Sequence, residues 1–275
     1  MPPPELLRRD WSKDHVYLIQ YPRCKVIPNV SPWSLKLETW LRMADLPYTN
    51  ISNEFSKFSA KGQVPFIELN GRQIADSSHI IASLEEEFHK TSLSPKSPEE
   101  KALSRALTAL IEDSLIGLAF AYRAKDVKMM FSEDVWGRQI GAGVKAKALR
   151  TILIPKLKKM MAARLHVVGA GRLTEPELEK AALDAIGALS ALLGAKHYFF
   201  GYPTTVDATA FSVLTQLYYT CQNPDIIKAM DDKFANLGAF VKRIRTEYWP
   251  DWEATCESMD MNTDWKKAKE GAVNE

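Results

Sequence analysis

The chain has 275 residues, with 36 Lys and Arg against 34 Asp and Glu, a formal net charge of +2, and 46% hydrophobic residues. That composition supplies a large core, and its balanced, dispersed charge excludes a nucleic-acid scaffold and a disordered polymer. Cys24, Cys221 and Cys256 are too few and too widely spaced for a disulfide framework or a zinc knuckle. The five histidines also lack metal-ligand spacing, so no metal is expected.

The start, Met1-Pro2-Pro3-Pro4-Glu5, reaches Arg8 and Arg9 without the apolar run of a signal peptide. The longest apolar neighbourhood, Leu183 to Phe200, is broken by Asp184 and Lys196 and reads as a buried helix rather than a membrane span. The expectation is a soluble cytoplasmic protein, with peripheral association with a membrane left open.

In chain order, Val16 to Gln20 reads as a strand ending at Tyr21-Pro22. A loop through Val30 leads to Ser31-Pro32, the signature of a helix N-cap followed by proline at the first helical position. Trp33, Leu37, Trp40, Leu41 and Ala44 recur at helical spacing, Pro47 stops the helix, and Tyr48 to Ile51 forms a second strand. Phe66 to Leu69 follows a Val64-Pro65 turn, and Asn70-Gly71 predicts a hairpin into Gln73 and Ile74. A helix over Ser77 to His89 completes the unit.

Residues 1–90 thus predict an α/β module of thioredoxin-like order, residues 91–98 a linker rich in turn formers, and residues 99–275 an all-helical domain. Leucines from Leu103 to Leu118 predict one long helix, and a second covers Lys147 to Val167 with Pro155 as a kink. Glu175 to Leu193, Thr205 to Leu217, Asp225 to Met230 and Phe234 to Glu247 come next. Thr204 to Asp207 reads as a capping box, and the polar tail beyond Asp264 is expected to fray. The basic run Lys156, Lys158, Lys159 and Arg164 reads as a solvated helix face.

The Gln63-Val64-Pro65 turn and the Asp76-Ser77 helix start together suit a small peptide thiol. A cis Val64-Pro65 bond turns backbone polar groups outward, while a carboxylate, a hydroxyl and free N–H groups at one helix start can hold a zwitterionic head group. Ser31, at the start of the first helix, is a candidate to donate a hydrogen bond to the ligand's sulfur and favour the thiolate. Tyr21 is its rival, and Ser34 the fallback one turn on. Lys61 and Gln63, with Lys57 as a weaker candidate, are placed to reach the peptide's carboxylate. Cys24, between Arg23 and Lys25, has a basic setting that would lower its pKa, but it lacks a Cys-x-x-Cys partner. Trp33, Tyr122 and Trp136 are candidates for a wall that takes a small hydrophobic electrophile.

The βαβ-ββα order, with Gln63-Val64-Pro65, Asp76-Ser77 and the Thr204 to Asp207 box, resembles the cytosolic glutathione transferase superfamily over most of the chain. Within it, the run from Ser31-Pro32-Trp33-Ser34 to Leu46-Pro47-Tyr48 resembles the failed axon connections and metaxin-related branch, which includes cadmium-responsive nematode proteins. The resemblance implies glutathione as co-substrate, bound by the backbone of Val64 beside a cis Pro65 and by Asp76 and Ser77. Members with a catalytic cysteine carry it just before the first-helix proline, where this chain has Ser31; that departure argues against thiol-transferase and dehydroascorbate reductase chemistry and leaves serine-type conjugation. The stretch from Pro22 to Val30 is long for the superfamily and is a candidate to cover the thiol site or alter subunit pairing, so a homodimer is open. Metaxin relatives are tied to the outer mitochondrial membrane, and some relatives of this branch carry membrane segments. Two functions are expected to compete. One is conjugation of glutathione to small electrophiles, a detoxification chemistry; the other is a non-catalytic adaptor role in axon development or membrane-associated assembly. Hydroperoxide reduction is a third reading.

Overall fold

The computed structural model describes residues 5–220 and 223–273; Cys221 lies outside them. Strands β1 (Val16–Gln20), β2 (Tyr48–Ser52), β3 (Phe66–Leu69) and β4 (Arg72–Ala75) form one sheet in the order β2-β1-β3-β4. β1 runs parallel to β2, with Leu18 opposite Asn50, and antiparallel to β3, with Leu18 opposite Ile67. Every residue of β1 is buried because both faces of the sheet are covered. The β3–β4 hairpin turns on Asn70 and Gly71, at φ 49° and 75°, the left-handed pair that matches a two-residue turn to strand twist.

Helices α1 (Pro32–Met43) and α2 (Ser77–Glu87) cover one face of the sheet. Val16, Leu18, Ile67 and Leu69 meet Leu37, Trp40, Leu41, Ile80 and Leu84 in a continuous core, while Ile19, Phe66 and Ala75 form a smaller cluster. This is a thioredoxin-like α/β domain, and the elements after α2 are all helical.

The leucine-rich stretch expected as one helix is divided into α3 (Pro98–Ala109), a π-helical turn over Leu110–Leu115, and α4 (Ile116–Lys125). The wider turn keeps Ile111 and Leu115 fully buried while the helix changes phase. A 3-10 turn (Val127–Phe131) and the short α5 (Gly137–Ile140), neither expected from the sequence, lead into α6 (Gly143–Val167), which contains Pro155. Then come α7 (Glu175–Leu193), α8 (Thr205–Thr220), α9 (Pro224–Asp232), α10 (Ala235–Tyr248), α11 (Trp252–Ser258) and α12 (Trp265–Val273).

α8 is the helix around which the others are built, and Asp207 fixes its start. The Asp207 carboxylate accepts from the Thr204 N–H and hydroxyl, both at 2.8 Å, and from the Phe199 N–H at 2.9 Å. Asp207 thus returns the expected bond to the Thr204 backbone, with a third donor from the preceding turn, while its own N–H goes to the Thr204 carbonyl at 3.0 Å rather than to the hydroxyl; burial nonetheless pushes the Asp207 carboxyl up to about 6.

The tail beyond Asp264, expected to fray, instead forms α12. Trp265 is buried, with the Arg42 guanidinium 5.2 Å from its ring, and Lys266 pairs with Asp45 at 2.6 Å. Just before it, Asn262 presents its side-chain amide to β2: the Asn50 N–H donates to Asn262 Oδ1 at 2.7 Å, and Asn262 Nδ2 donates to the Asn50 carbonyl at 2.9 Å. Among the described residues, no helix is long and apolar enough to cross a membrane, and no cluster of acidic, histidine or cysteine side chains could hold a metal ion.

Candidate functional site

A cleft of about 400 Å3 lies between the sheet domain and helices α4 and α6, within the roughly 300–1,000 Å3 common for small-molecule sites. Its sheet-domain side carries Tyr21, Ser31, Gln63, Val64, Asp76 and Ser77. Its helical side carries Phe120, Trp136, Leu157, Met161 and Arg164, with Trp33 of α1 between the two.

Each sheet-domain group is positioned by a local device. The loop before β3 folds on itself: the Ser59 N–H donates to the Gln63 carbonyl at 3.1 Å, the Gly62 N–H to the Ser59 carbonyl at 2.7 Å, and the Gln63 N–H to Ser59 Oγ at 3.0 Å. These bonds leave Val64, before the cis Pro65, with neither its N–H nor its C=O bonded to a described residue. The Asp76 Oδ1 accepts the N–H groups of Ser78 and His79 at 3.1 Å each, which makes Asp76 the N-cap of α2. Ser77, the first residue of that helix, lines the cleft with a hydroxyl that meets no described partner. Lys36, almost fully buried, ties the start of α2 to α1 and to the π-helical turn by donating to Ser78 Oγ at 3.0 Å and to Glu112 at 2.8 Å.

Ser31 caps α1: its Oγ accepts the Ser34 N–H at 3.3 Å, and its own N–H donates to Asn29 Oδ1 at 2.9 Å. The Ser31 hydroxyl hydrogen remains available to a ligand. Tyr21 packs at a tilt against both Phe55 and Trp136, at ring distances of 6.2 and 5.3 Å, and burial raises its pKa so that the phenol keeps its proton. Both hydroxyls are donors at neutral pH.

Beneath them, α1 is held by a buried charge network. Arg23 grips Glu38 through two nitrogens at 2.6 and 2.7 Å, Gln20 and Asn50 donate to the same carboxylate at 2.8 and 2.9 Å, and Arg42 pairs with Asp251 at 2.5 and 3.1 Å. Burial would raise the Glu38 carboxyl, but Arg23 and the other donors outweigh it and hold Glu38 at about 2. The stretch from Pro22 to Val30 joins this framework rather than lying across the cleft. The Lys25 N–H donates to the Asp134 carbonyl at 2.8 Å, Gln139 to the Arg23 carbonyl at 2.6 Å, Gln216 to the Asn29 carbonyl at 3.0 Å, and Arg123 to the Val30 carbonyl at 2.7 Å.

Residues 32–126 match the glutathione S-transferase N-terminal domain, and residues 182–244 the glutathione S-transferase C-terminal domain. Over 98% of its length the chain is 34% identical to failed axon connections of Drosophila melanogaster, covering 68% of that protein. It is also 24% identical to mouse metaxin-2, over 80% of this chain and 82% of the relative. The chain belongs to the failed axon connections and metaxin branch of the glutathione transferase superfamily. Its fold is shared with a glutathione S-transferase of Methylobacterium radiotolerans solved in complex with glutathione sulfonate, at a TM-score of 0.55 and 16% identity, over 84% of this chain and 90% of the other.

Against this branch's fold, the residues expected from sequence divide clearly. Tyr21, Ser31, Gln63, Val64, Pro65, Asp76, Ser77, Trp33 and Trp136 converge on the cleft. Ser34 does not: it is fully buried in the first turn of α1. Lys61 is exposed and outside the lining, and Lys57 is paired with Glu54 at 2.9 Å. Tyr122 lies on the buried side of α4, with Lys125 4.8 Å from its ring, and forms no part of the aromatic wall. Cys24 is corrected most sharply. Arg23 is engaged by Glu38, the thiol is fully buried and donates to the Ile27 carbonyl at 2.7 Å, and burial pushes its pKa up to about 12 instead of down.

Among the cleft residues not expected from the sequence are two arginines. Arg123, on α4, reaches the Val30 carbonyl and the side chains of Gln216 and Thr220 from within the core. Arg164, read as part of a solvated basic face, turns its guanidinium over Trp33, 4.3 Å from the ring centre. The spacing Leu157, Met161, Arg164, Leu165 was the available signal, since it puts all four on one face of α6.

Proposed function

We propose that this chain binds glutathione in the cleft and serves as a ligand-holding adaptor of its branch, with the tripeptide laid along the Val64 backbone and its amino-acid head at Asp76 and Ser77. The observation that carries this reading is the free N–H and C=O of Val64, aligned in an open cleft with the capped start of α2. An extended peptide satisfies such a pair as an added strand does. The second oxygen of Asp76, the Ser77 hydroxyl and the helix N-terminus complement an ammonium and a carboxylate on one residue. The bacterial neighbour of the same fold holds glutathione sulfonate, and the relatives named failed axon connections and metaxin-2 support the adaptor role over turnover.

Conjugation is the second reading, favoured by the unengaged hydroxyl hydrogens of Tyr21 and Ser31 at the cleft. A donor hydrogen bond to sulfur raises the thiolate fraction; the thiolate then attacks an electrophilic carbon, forming the C–S bond while a halide or other leaving group departs with its electron pair. The thiol proton goes to water. Disulfide exchange through Cys24 has no support, because that thiol is buried and fully protonated.

Calorimetric titration of glutathione tests the binding reading, with Asp76→Ala and Ser77→Ala each expected to weaken affinity about tenfold, the scale of one lost charge-assisted hydrogen bond. Absence of heat with the unmodified chain refutes it. A spectrophotometric assay with an activated aryl halide then separates the roles. Binding without turnover supports the adaptor, and turnover abolished by Tyr21→Phe or Ser31→Ala supports conjugation through that hydroxyl.

A further inference from the structure

A surface helix ordinarily keeps its apolar residues on the stripe it buries and polar ones on the opposite side, and α6 departs from that pattern. Its inward stripe is ordinary: Ala146, Met161 and Leu165 are buried, and Leu153 and Leu157 half-buried. Its outward stripe is not. Lys145, Leu149, Ile152, Lys156 and Lys159 follow one another at steps of four and three, and Val167 lies on the same line about two turns on. All six are exposed, Ile152 at 65% and Val167 at 84%. The charge is one-sided as well. Between Asp134 and Glu175 the sequence has no acidic residue and carries nine Lys and Arg, a quarter of the 36 in the whole chain. The side chains of Lys145, Lys156 and Lys159 form no hydrogen bond or ion pair with another described residue. Lysines on other exposed helices pair with an acid one turn away, Lys180 with Asp184 and Lys228 with Asp232. Unpaired cations set around exposed Leu149 and Ile152 match a bilayer with negative headgroups, because the lysines meet the headgroups while the branched side chains enter the boundary with the acyl chains. A nucleic acid would neutralise the cations and leave the apolar groups without a partner. A second copy laid on the same face would set lysine against lysine.

We propose that the outward face of α6 docks this chain on an anionic lipid surface, with Lys145, Lys156 and Lys159 on the headgroups and Leu149 and Ile152 seated between them. The inference goes beyond the proposed function, and docking takes place with or without glutathione. The inward face of the same helix walls the cleft through Leu157 and Met161. A docked chain therefore holds its cleft about one helix diameter, roughly 10–12 Å, from the bilayer.

The test is co-sedimentation of the full chain with vesicles of phosphatidylcholine alone and of phosphatidylcholine with about 30% phosphatidylserine. It is repeated on the double variant Lys156→Gln, Lys159→Gln, on Leu149→Ser, Ile152→Ser, and on Lys101→Gln, Lys196→Gln, which removes two exposed lysines from other helices and loops. The unmodified chain is expected to pellet with the anionic vesicles and not with the neutral ones. The Lys156, Lys159 pair should weaken that binding about thirtyfold. The Leu149, Ile152 pair should weaken it about tenfold with no change of charge, and the Lys101, Lys196 pair should leave it unchanged. No pelleting with anionic vesicles, equal pelleting with neutral ones, or equal weakening by the Lys101, Lys196 pair overturns the inference. So does anionic binding blind to Leu149→Ser, Ile152→Ser, which is the result for an acidic protein partner or a purely electrostatic contact. Light scattering covers the remaining occupant: a dimer that the Leu149, Ile152 pair dissociates, with vesicle binding intact, assigns the face to a second copy and overturns the inference. Vesicle binding by a chain that gives no heat with glutathione supports the inference and refutes only the proposed function; glutathione binding without vesicle binding does the reverse.

Discussion

Replacing Glu38 with Gln tests whether the buried charge network is what seats α1. Glu38 is fully buried and receives both nitrogens of Arg23, an amide from Gln20 and an amide from Asn50. The amide keeps the shape but cancels the charge, and its NH2 faces donors where the carboxylate oxygen stood. Breaking one side of a buried ion pair typically costs about 3–5 kcal/mol because the partner is left uncompensated. Arg42 keeps Asp251 at 2.5 Å, so the loss here falls at the lower end, about 3 kcal/mol. In urea titrations followed by tryptophan fluorescence, a slope of about 3 kcal/mol/M turns this into a midpoint shift of roughly 1 M. The pH dependence carries the same information. The folded carboxyl sits at about 2, below the roughly 4.3 of a free glutamate. The stabilisation is therefore complete above the unfolded value and lost as pH falls through the folded one. Unmodified chain and E38Q should converge in stability between about pH 4 and 2. A midpoint within about 0.3 M of the unmodified chain at pH 7, or a difference independent of pH across that window, refutes the assignment.

Asp207→Ala removes three hydrogen bonds at the start of α8 and should lower stability by about 2 kcal/mol, read from denaturant midpoints; a loss below about 0.5 kcal/mol would show that the box is dispensable. Cys24 should resist iodoacetamide in the native chain at pH 8 and react once urea unfolds it, as peptide mapping would record. Rapid native labelling at Cys24 contradicts the burial and raised pKa found for it.

The strands and most helices were legible because their signals are local. Ser31-Pro32, Asn70-Gly71, Asp76-Ser77 and Thr204 to Asp207 mark boundaries by side-chain and backbone chemistry that the tertiary fold does not override. The π-helical turn was hidden because leucines run through Leu110–Leu115 at ordinary helical spacing, and only packing against neighbouring helices demands the extra residue. Val127–Phe131 and Gly137–Ile140 are too short for periodicity to reveal. In the cleft, the residues near turns and caps were legible, while Arg164 was masked by the lysines around it in sequence. Its role depends on which face of α6 meets Trp33, a fact set by tertiary packing. Cys24 misled for a related reason: neighbouring charges in sequence say little when Arg23 points away to Glu38 and the thiol is buried.

Asn262 has a consequence for how this molecule avoids unwanted company. β2 is an outermost strand, and its backbone groups that point away from β1 would offer a template to any extended segment from another chain. The side-chain amide of Asn262 imitates a peptide unit and occupies Asn50, the middle of that template. Further strand recruitment along this border is blocked by the protein's own tail, so lateral growth of the sheet into aggregates is opposed at the side where it would otherwise begin.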